Sequence, residues 1–116
     1  MKATIWHNAR CSNSRGALAL LQDAGADIEI IDYLANPPDA ATLRRLLNEM
    51  GIPARALLRD KEPVYAELGL ARKLDDEAAL IQAMAAHPAL INRPIVRTRK
   101  GTALCRPPEK VQALLD

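Results

Sequence analysis

The chain has 116 residues and a mass of 12.7 kDa, room for one hydrophobic core but not for two. Hydrophobic residues make up 49% and charged residues 26%, near the averages of folded domains, which excludes a disordered chain. Sixteen Lys and Arg against fourteen Asp and Glu leave a net charge of only +2, too weak to mark a nucleic-acid backbone binder, and no apolar run approaches the ~20 residues of a membrane span.

Residues 2–7 read as a strand, with Ile5 and Trp6 apolar, and Ser12-Asn13-Ser14 supplies good helix N-caps. A helix is expected from about Ser14 to Ala24, because Ala17, Leu20, Leu21 and Ala24 recur at i, i+3, i+4 and i+7 and Gly25 can end it. Ile28, Ile30, Ile31 and Tyr33 form a β-branched run that predicts a strand buried on both faces, giving a parallel βαβ unit. Asn36-Pro37-Pro38-Asp39 breaks the chain before a helix carrying Leu43, Leu46, Leu47 and Met50, closed by Gly51. Pro53 to Leu70 is apolar but irregular and restarts at Pro63, which predicts short helices. Asp75 or Asp76 caps a further helix through Leu80, Ile81 and Met84 that ends before Pro88.

Beyond Asn92-Arg93-Pro94, residues 95–98 and 102–105 flank Arg99-Lys100-Gly101 and predict a hairpin. Pro107 and Pro108 then open a last helix with Val111, Leu114 and Leu115 on one face. The order is that of an α/β protein with a thioredoxin-like mixed sheet of about four strands and an inserted helical segment at about 37–87. The whole is expected to be one domain, 1–116.

Cys11 falls at the predicted strand-to-helix turn, where free N–H groups and the positive end of the helix dipole favour a thiolate, so it is the candidate nucleophile. Arg10 and Arg15 flank it with positive charge, and His7 at the strand end can assist if it faces the loop. Ser14 stands where a Cys-x-x-Cys couple would have its second thiol, so Cys11 must act without a local resolving partner. Cys105 ends a predicted strand and reads as a packed, unreactive thiol. His87, at a helix end, has a sufficient structural role there, and two His and two Cys at scattered positions lack the spacing of a metal site. With so few cysteines and no leader-like N-terminal segment, the expected compartment is the reducing cytoplasm. Eleven of the sixteen cations are Arg, whose planar fork suits oxyanions, and Arg59, Arg93 and Arg106 each stand at a predicted loop or element end, as Cys11 does. The Arg93-Pro94 bond is open to either isomer.

The stretch His7-Asn8-Ala9-Arg10-Cys11-Ser12-Asn13-Ser14-Arg15 resembles the thiol loop of the glutaredoxin-coupled arsenate reductase family. Tyr33-Leu34-Ala35-Asn36-Pro37-Pro38, Arg55 to Arg59, His87 to Val96 and Leu104-Cys105-Arg106-Pro107 look like further motifs of that family, in order and across nearly the whole chain. The resemblance implies a thioredoxin-like enzyme that reduces arsenate to arsenite. Cys11 would attack arsenate, and Arg59, Arg93 and Arg106 would hold the oxyanion. Glutathione would be a co-substrate supplying a second thiol, glutaredoxin would clear the mixed disulfide, and His7 would lower the thiol pKa as an imidazolium or through a hydrogen bond. It implies no tightly bound cofactor, no metal and no nucleic-acid or membrane partner. Two other functions fit the fold. One is that of Spx-type regulators that bind RNA polymerase, which normally carry Cys-x-x-Cys here; the other is a general glutathione-linked thiol reductase acting on disulfides without arsenate.

Overall fold

Four strands build one sheet around β1 (Lys2–His7), whose Ala3 and Ile5 are buried. On one side β1 pairs in parallel with β2 (Asp27–Asp32), and on the other it pairs antiparallel with β3 (Ile95–Thr98). β3 turns at Arg99-Lys100 into β4 (Gly101–Leu104), so the order is β2-β1-β3-β4. This is the thioredoxin-like mixed sheet that the chain order predicts. The computed structural model describes all 116 residues and resolves into two compact units, residues 1–36 with 93–116, and residues 37–92.

In the first unit the crossover from β1 to β2 is helix α1 (Ser12–Asp23), which buries Ala17 and Leu21 against the sheet. Ala3, Ile5, Val96, Cys105, Val111 and Leu114 complete this core. The C-terminal segment Pro108–Leu114 packs beside α1. Their approach is close at Gly16, where a Cβ would stand 2.9 Å from the Pro108 ring, so a side chain would force two rigid elements apart.

Three expectations need correction. β2 is an edge strand with Ile30 half exposed, although its isoleucine run reads as buried on both faces; β3 has taken the other side of β1, and Ile28 is the isoleucine of β2 that packs against the core under α1. Helix α1 starts at Ser12 and not Ser14, because Cys11 takes the N-cap position and Ser14 turns inward. The last helix is a 3₁₀ helix ending at Leu114, with Leu115 outside it.

The second unit is helical, as predicted. Helix α2 (Ala40–Met50) is capped by the Asp39 side chain, which accepts the Thr42 N–H at 2.8 Å, and is stopped by Gly51 in the left-handed region at φ 67°. Its buried face, Leu43, Leu46 and Leu47, packs on α5 (Glu77–Ala86), which buries Leu80, Ile81 and Met84 and is capped by Asp76. Between them lie the short helices α3 (Ala54–Leu57) and α4 (Pro63–Glu67) and a 3₁₀ turn at Leu70–Arg72. The Glu77 carboxylate accepts the Ala54 N–H at 2.7 Å and ties α3 to the start of α5. Leu58, just after α3, and Ile91 form an antiparallel bridge within this unit. No helix is long and apolar enough to cross a membrane.

Candidate active site

β1 ends at His7, and five residues later α1 begins; the turn between them is closed by the Cys11 N–H donating to the Asn8 carbonyl at 3.0 Å. Cys11 is the N-cap, its backbone extended at φ −94° and ψ 122°, and its carbonyl accepts the Arg15 N–H at 3.0 Å. An N-cap side chain normally accepts from the free N–H groups of the first turn. Here that place is held by sulfur.

Partial burial pushes the Cys11 thiol up. Against it act the Ser14 N–H, a hydrogen bond from the Arg93 side chain, the Asn13 N–H and the Arg93 charge. Together they outweigh burial and bring the thiol below its ordinary value. Arg106 adds Nη1 at 3.6 Å from the sulfur, while the same nitrogen donates to the Arg93 carbonyl at 2.9 Å. With the Asn13 amide turned so that its oxygen faces Arg106, as the donors around it require, that oxygen accepts from Nη1 and Nη2, each at 3.3 Å. Two forked cations thus reach the sulfur from the chain on either side of the β3–β4 hairpin, and both Arg93-Pro94 and Arg106-Pro107 are cis.

The structure distributes the expected residues unevenly. Cys11, Arg93 and Arg106 come together. The flanking arginines expected to supply charge to the thiol do other work: Arg15 Nη1 donates to the Ala9 carbonyl at 2.9 Å, and Arg10 donates its backbone N–H to Asn8 Oδ1 at 2.9 Å. His7 engages Ser14, with Nδ1 2.6 Å from the hydroxyl oxygen, and burial lowers its pKa despite the carboxylate of Asp32, with Arg15 lowering it further. Arg59 belongs to the second unit, where Nε meets Glu62 Oε1 at 3.3 Å, Nη1 donates to Asn92 Oδ1 at 3.3 Å, and its backbone N–H donates to the Leu90 carbonyl at 2.8 Å. His87 terminates α5 in that unit.

Two residues of the loop have roles that their sequence does not announce. Asn8 organises the turn with four groups: its carbonyl holds the Cys11 N–H, its Oδ1 the Arg10 N–H, its own N–H donates to Ser14 Oγ at 3.0 Å, and its Nδ2 donates to the Tyr33 hydroxyl at 3.4 Å. Ser14, noticed in the sequence as the missing second thiol, is fully buried. The signal that marks them is the polarity of a loop whose side chains cannot all reach water.

The ArsC family profile matches residues 6–114. The chain belongs to the ArsC family. Among ArsC-family relatives, it is 45% identical over 112 residues to an arsenate reductase of Neisseria meningitidis, covering 96% of each chain. It is 47% identical over 113 residues to an arsenate reductase of Escherichia coli, covering 97% of this chain and 80% of that one. Among solved structures, an arsenate reductase from Vibrio cholerae superposes with a TM-score of 0.91 at 43% identity, covering 99% of this chain and 98% of the other.

The two cysteines of this ArsC-family chain differ sharply. Cys105 is buried in the sheet core, and burial raises its thiol to about 11. Iodoacetamide at neutral pH is therefore expected to label Cys11 alone, at a rate that follows a titration with a midpoint below that of a free thiol. Mass mapping of the labelled peptides over a pH series checks this. Equal labelling of the two cysteines, or a free-thiol midpoint at Cys11, would contradict it.

Proposed function

We propose that this ArsC-family chain reduces arsenate to arsenite, with Cys11 as nucleophile and with glutathione and glutaredoxin supplying the electrons. The observation that carries the reading is the Cys11 sulfur at the N-cap of α1, 3.6 Å from Arg106 Nη1 and with its pKa lowered by the Ser14 N–H and the Arg93 side chain. Arsenate, like phosphate, carries about two negative charges near neutral pH, and a thiolate approaches it only where cations offset the repulsion. Arg93 and Arg106 offer forked donors beside the sulfur, and we assign Arg59 to the same oxyanion. Its support is the motif it shares with the family and its hydrogen bond to Asn92, the residue before Arg93 in the chain. On this reading residues 1–116 act as one domain.

The chemistry balances with one protein thiol. The Cys11 thiolate bonds to arsenic and one oxygen leaves as water after protonation, with arsenic still pentavalent. Glutathione sulfur then bonds to Cys11 sulfur, the sulfur–arsenic bonding pair stays with arsenic, and arsenite departs with the two electrons. The glutaredoxin thiolate takes the glutathione from the mixed disulfide and restores Cys11. Ser14 in place of a second cysteine fits this external resolution. The glutathione pool it requires places the protein in the cytoplasm.

The test is a coupled assay of the purified protein with arsenate, glutathione, glutaredoxin, glutathione reductase and NADPH. NADPH oxidation is expected to depend on arsenate and on glutaredoxin, with no rescue by thioredoxin alone. Disulfide turnover indifferent to arsenate would establish a general thiol reductase instead. No turnover of either, with RNA polymerase retained in a pull-down, would establish a regulator.

A further inference from the structure

The buried hydroxyl of Ser14 has two hydrogen-bonding neighbours. The Asn8 N–H, 3.0 Å away, can only donate, so it occupies a lone pair of Ser14 Oγ. His7 Nδ1 lies 2.6 Å from the same oxygen. Ser14 is fully buried, so its own proton needs an acceptor within the protein. The remaining acceptor is the lone pair of His7 Nδ1.

We infer that Ser14 is a positioning residue that holds His7 as the neutral ring with its proton on Nε2, through the relay Asn8 N–H to Ser14 Oγ and Ser14 Oγ–H to His7 Nδ1. An imidazolium would turn a second N–H toward Ser14 Oγ and leave the hydroxyl proton buried with no acceptor. The charges around the ring agree. Asp32, opposite His7 in the β1–β2 register, favours an imidazolium, but its Oδ1 already accepts the Leu34 and Ala35 N–H groups at 3.1 and 3.3 Å. Arg15 on α1 opposes one, as does burial, and the balance lowers the His7 pKa.

The inference deepens the proposed function, on which its catalytic meaning rests. A ring fixed in this way can donate at Nε2 but adds no positive charge beside Cys11. Acidity of the thiol then comes from the helix N–H groups and Arg93, and His7 is available as a hydrogen-bond donor to a bound oxygen. Of the two roles the resemblance implies for His7, an imidazolium or a hydrogen bond, this sets aside the first.

Multiple-bond proton–nitrogen NMR on the ¹⁵N-labelled full chain reads the tautomer directly, with His87→Gln assigning the two imidazoles. At pH 7, Nδ1 of His7 is expected to be unprotonated and Nε2 protonated, with a titration midpoint below ~6.5. Ser14→Ala should raise that midpoint toward the ordinary value and mix the tautomers, since the hydrogen bond that favours the neutral ring is gone. His7→Gln should leave the alkylation midpoint of Cys11 in place. A protonated Nδ1 at pH 7, or a Cys11 midpoint that rises to the free-thiol value in His7→Gln, overturns the inference; the wild-type spectrum decides even if Ser14→Ala does not fold. None of these readouts uses arsenate. A protein inert toward arsenate but carrying the Nε2 tautomer would sink the proposed function and leave this inference standing.

Discussion

Cys11→Ser is expected to reduce arsenate turnover to the background rate, a loss of at least about 10⁴-fold, in line with removal of the nucleophile from other covalent catalysts. The reason goes beyond nucleophilicity. A serine oxygen at this N-cap stays protonated at any working pH, and it cannot form the disulfide with glutathione through which two electrons leave sulfur. Serine is a natural N-cap, so the variant should keep its fold, and a thermal melt close to wild type beside a flat NADPH trace is the expected pair of results. Measurable arsenate-dependent oxidation by this variant would remove Cys11 from the mechanism. Cys105→Ala is the matched control. Its sulfur packs in the sheet core, so the change should lower stability through a small cavity while leaving kcat/KM near wild type.

Loss of the forked cations should produce the next largest effect. Arg93→Ala removes both a hydrogen bond to the sulfur and a donor for the oxyanion, and kcat/KM is expected to fall by on the order of 10²–10³, the usual cost of deleting one aligned donor from a developing charge. The same substitution should raise the alkylation midpoint of Cys11, because Arg93 supplies both a hydrogen bond and a charge that lower it. Thiolate is then lost at neutral pH and recovered only as pH rises. Lys at 93 should recover part of the charge effect and little of the orientation, since an ammonium lacks the planar fork. Arg106→Ala should weaken arsenate and competing phosphate alike. It also frees the Arg93 carbonyl and the Asn13 amide, so its effect should not add to that of Arg93→Ala. Wild-type kinetics in either alanine variant would remove that residue from the oxyanion site.

Cys11 and the arginines that meet it were legible before any coordinates because their chemistry is local. A cysteine between a β-branched strand and an apolar-striped helix falls at free N–H groups whatever the rest of the chain does. Arg93 and Arg106 stand out because each precedes a proline beside a short strand, in motifs shared with the family. Of the charges nearest in sequence, Arg15 turns a guanidinium donor to the loop's own backbone at the Ala9 carbonyl. A reading along the chain weights neighbours by separation in sequence, whereas Coulomb interactions weight them by distance in space.

The alternation of strand and helix signals, the capping residues and the glycine stops determined the element order and the thioredoxin-like class, since each depends on residues within a turn or two of one another. Tertiary structure alone decided that β2 lies at the sheet edge, because strand placement depends on which partner claims each side of β1, and an apolar run is compatible with either position. It also decided the role of Ser14. A serine's hydrogen-bonding obligations appear only when burial removes water as a partner, and that burial is set by the packing of α1 on the sheet.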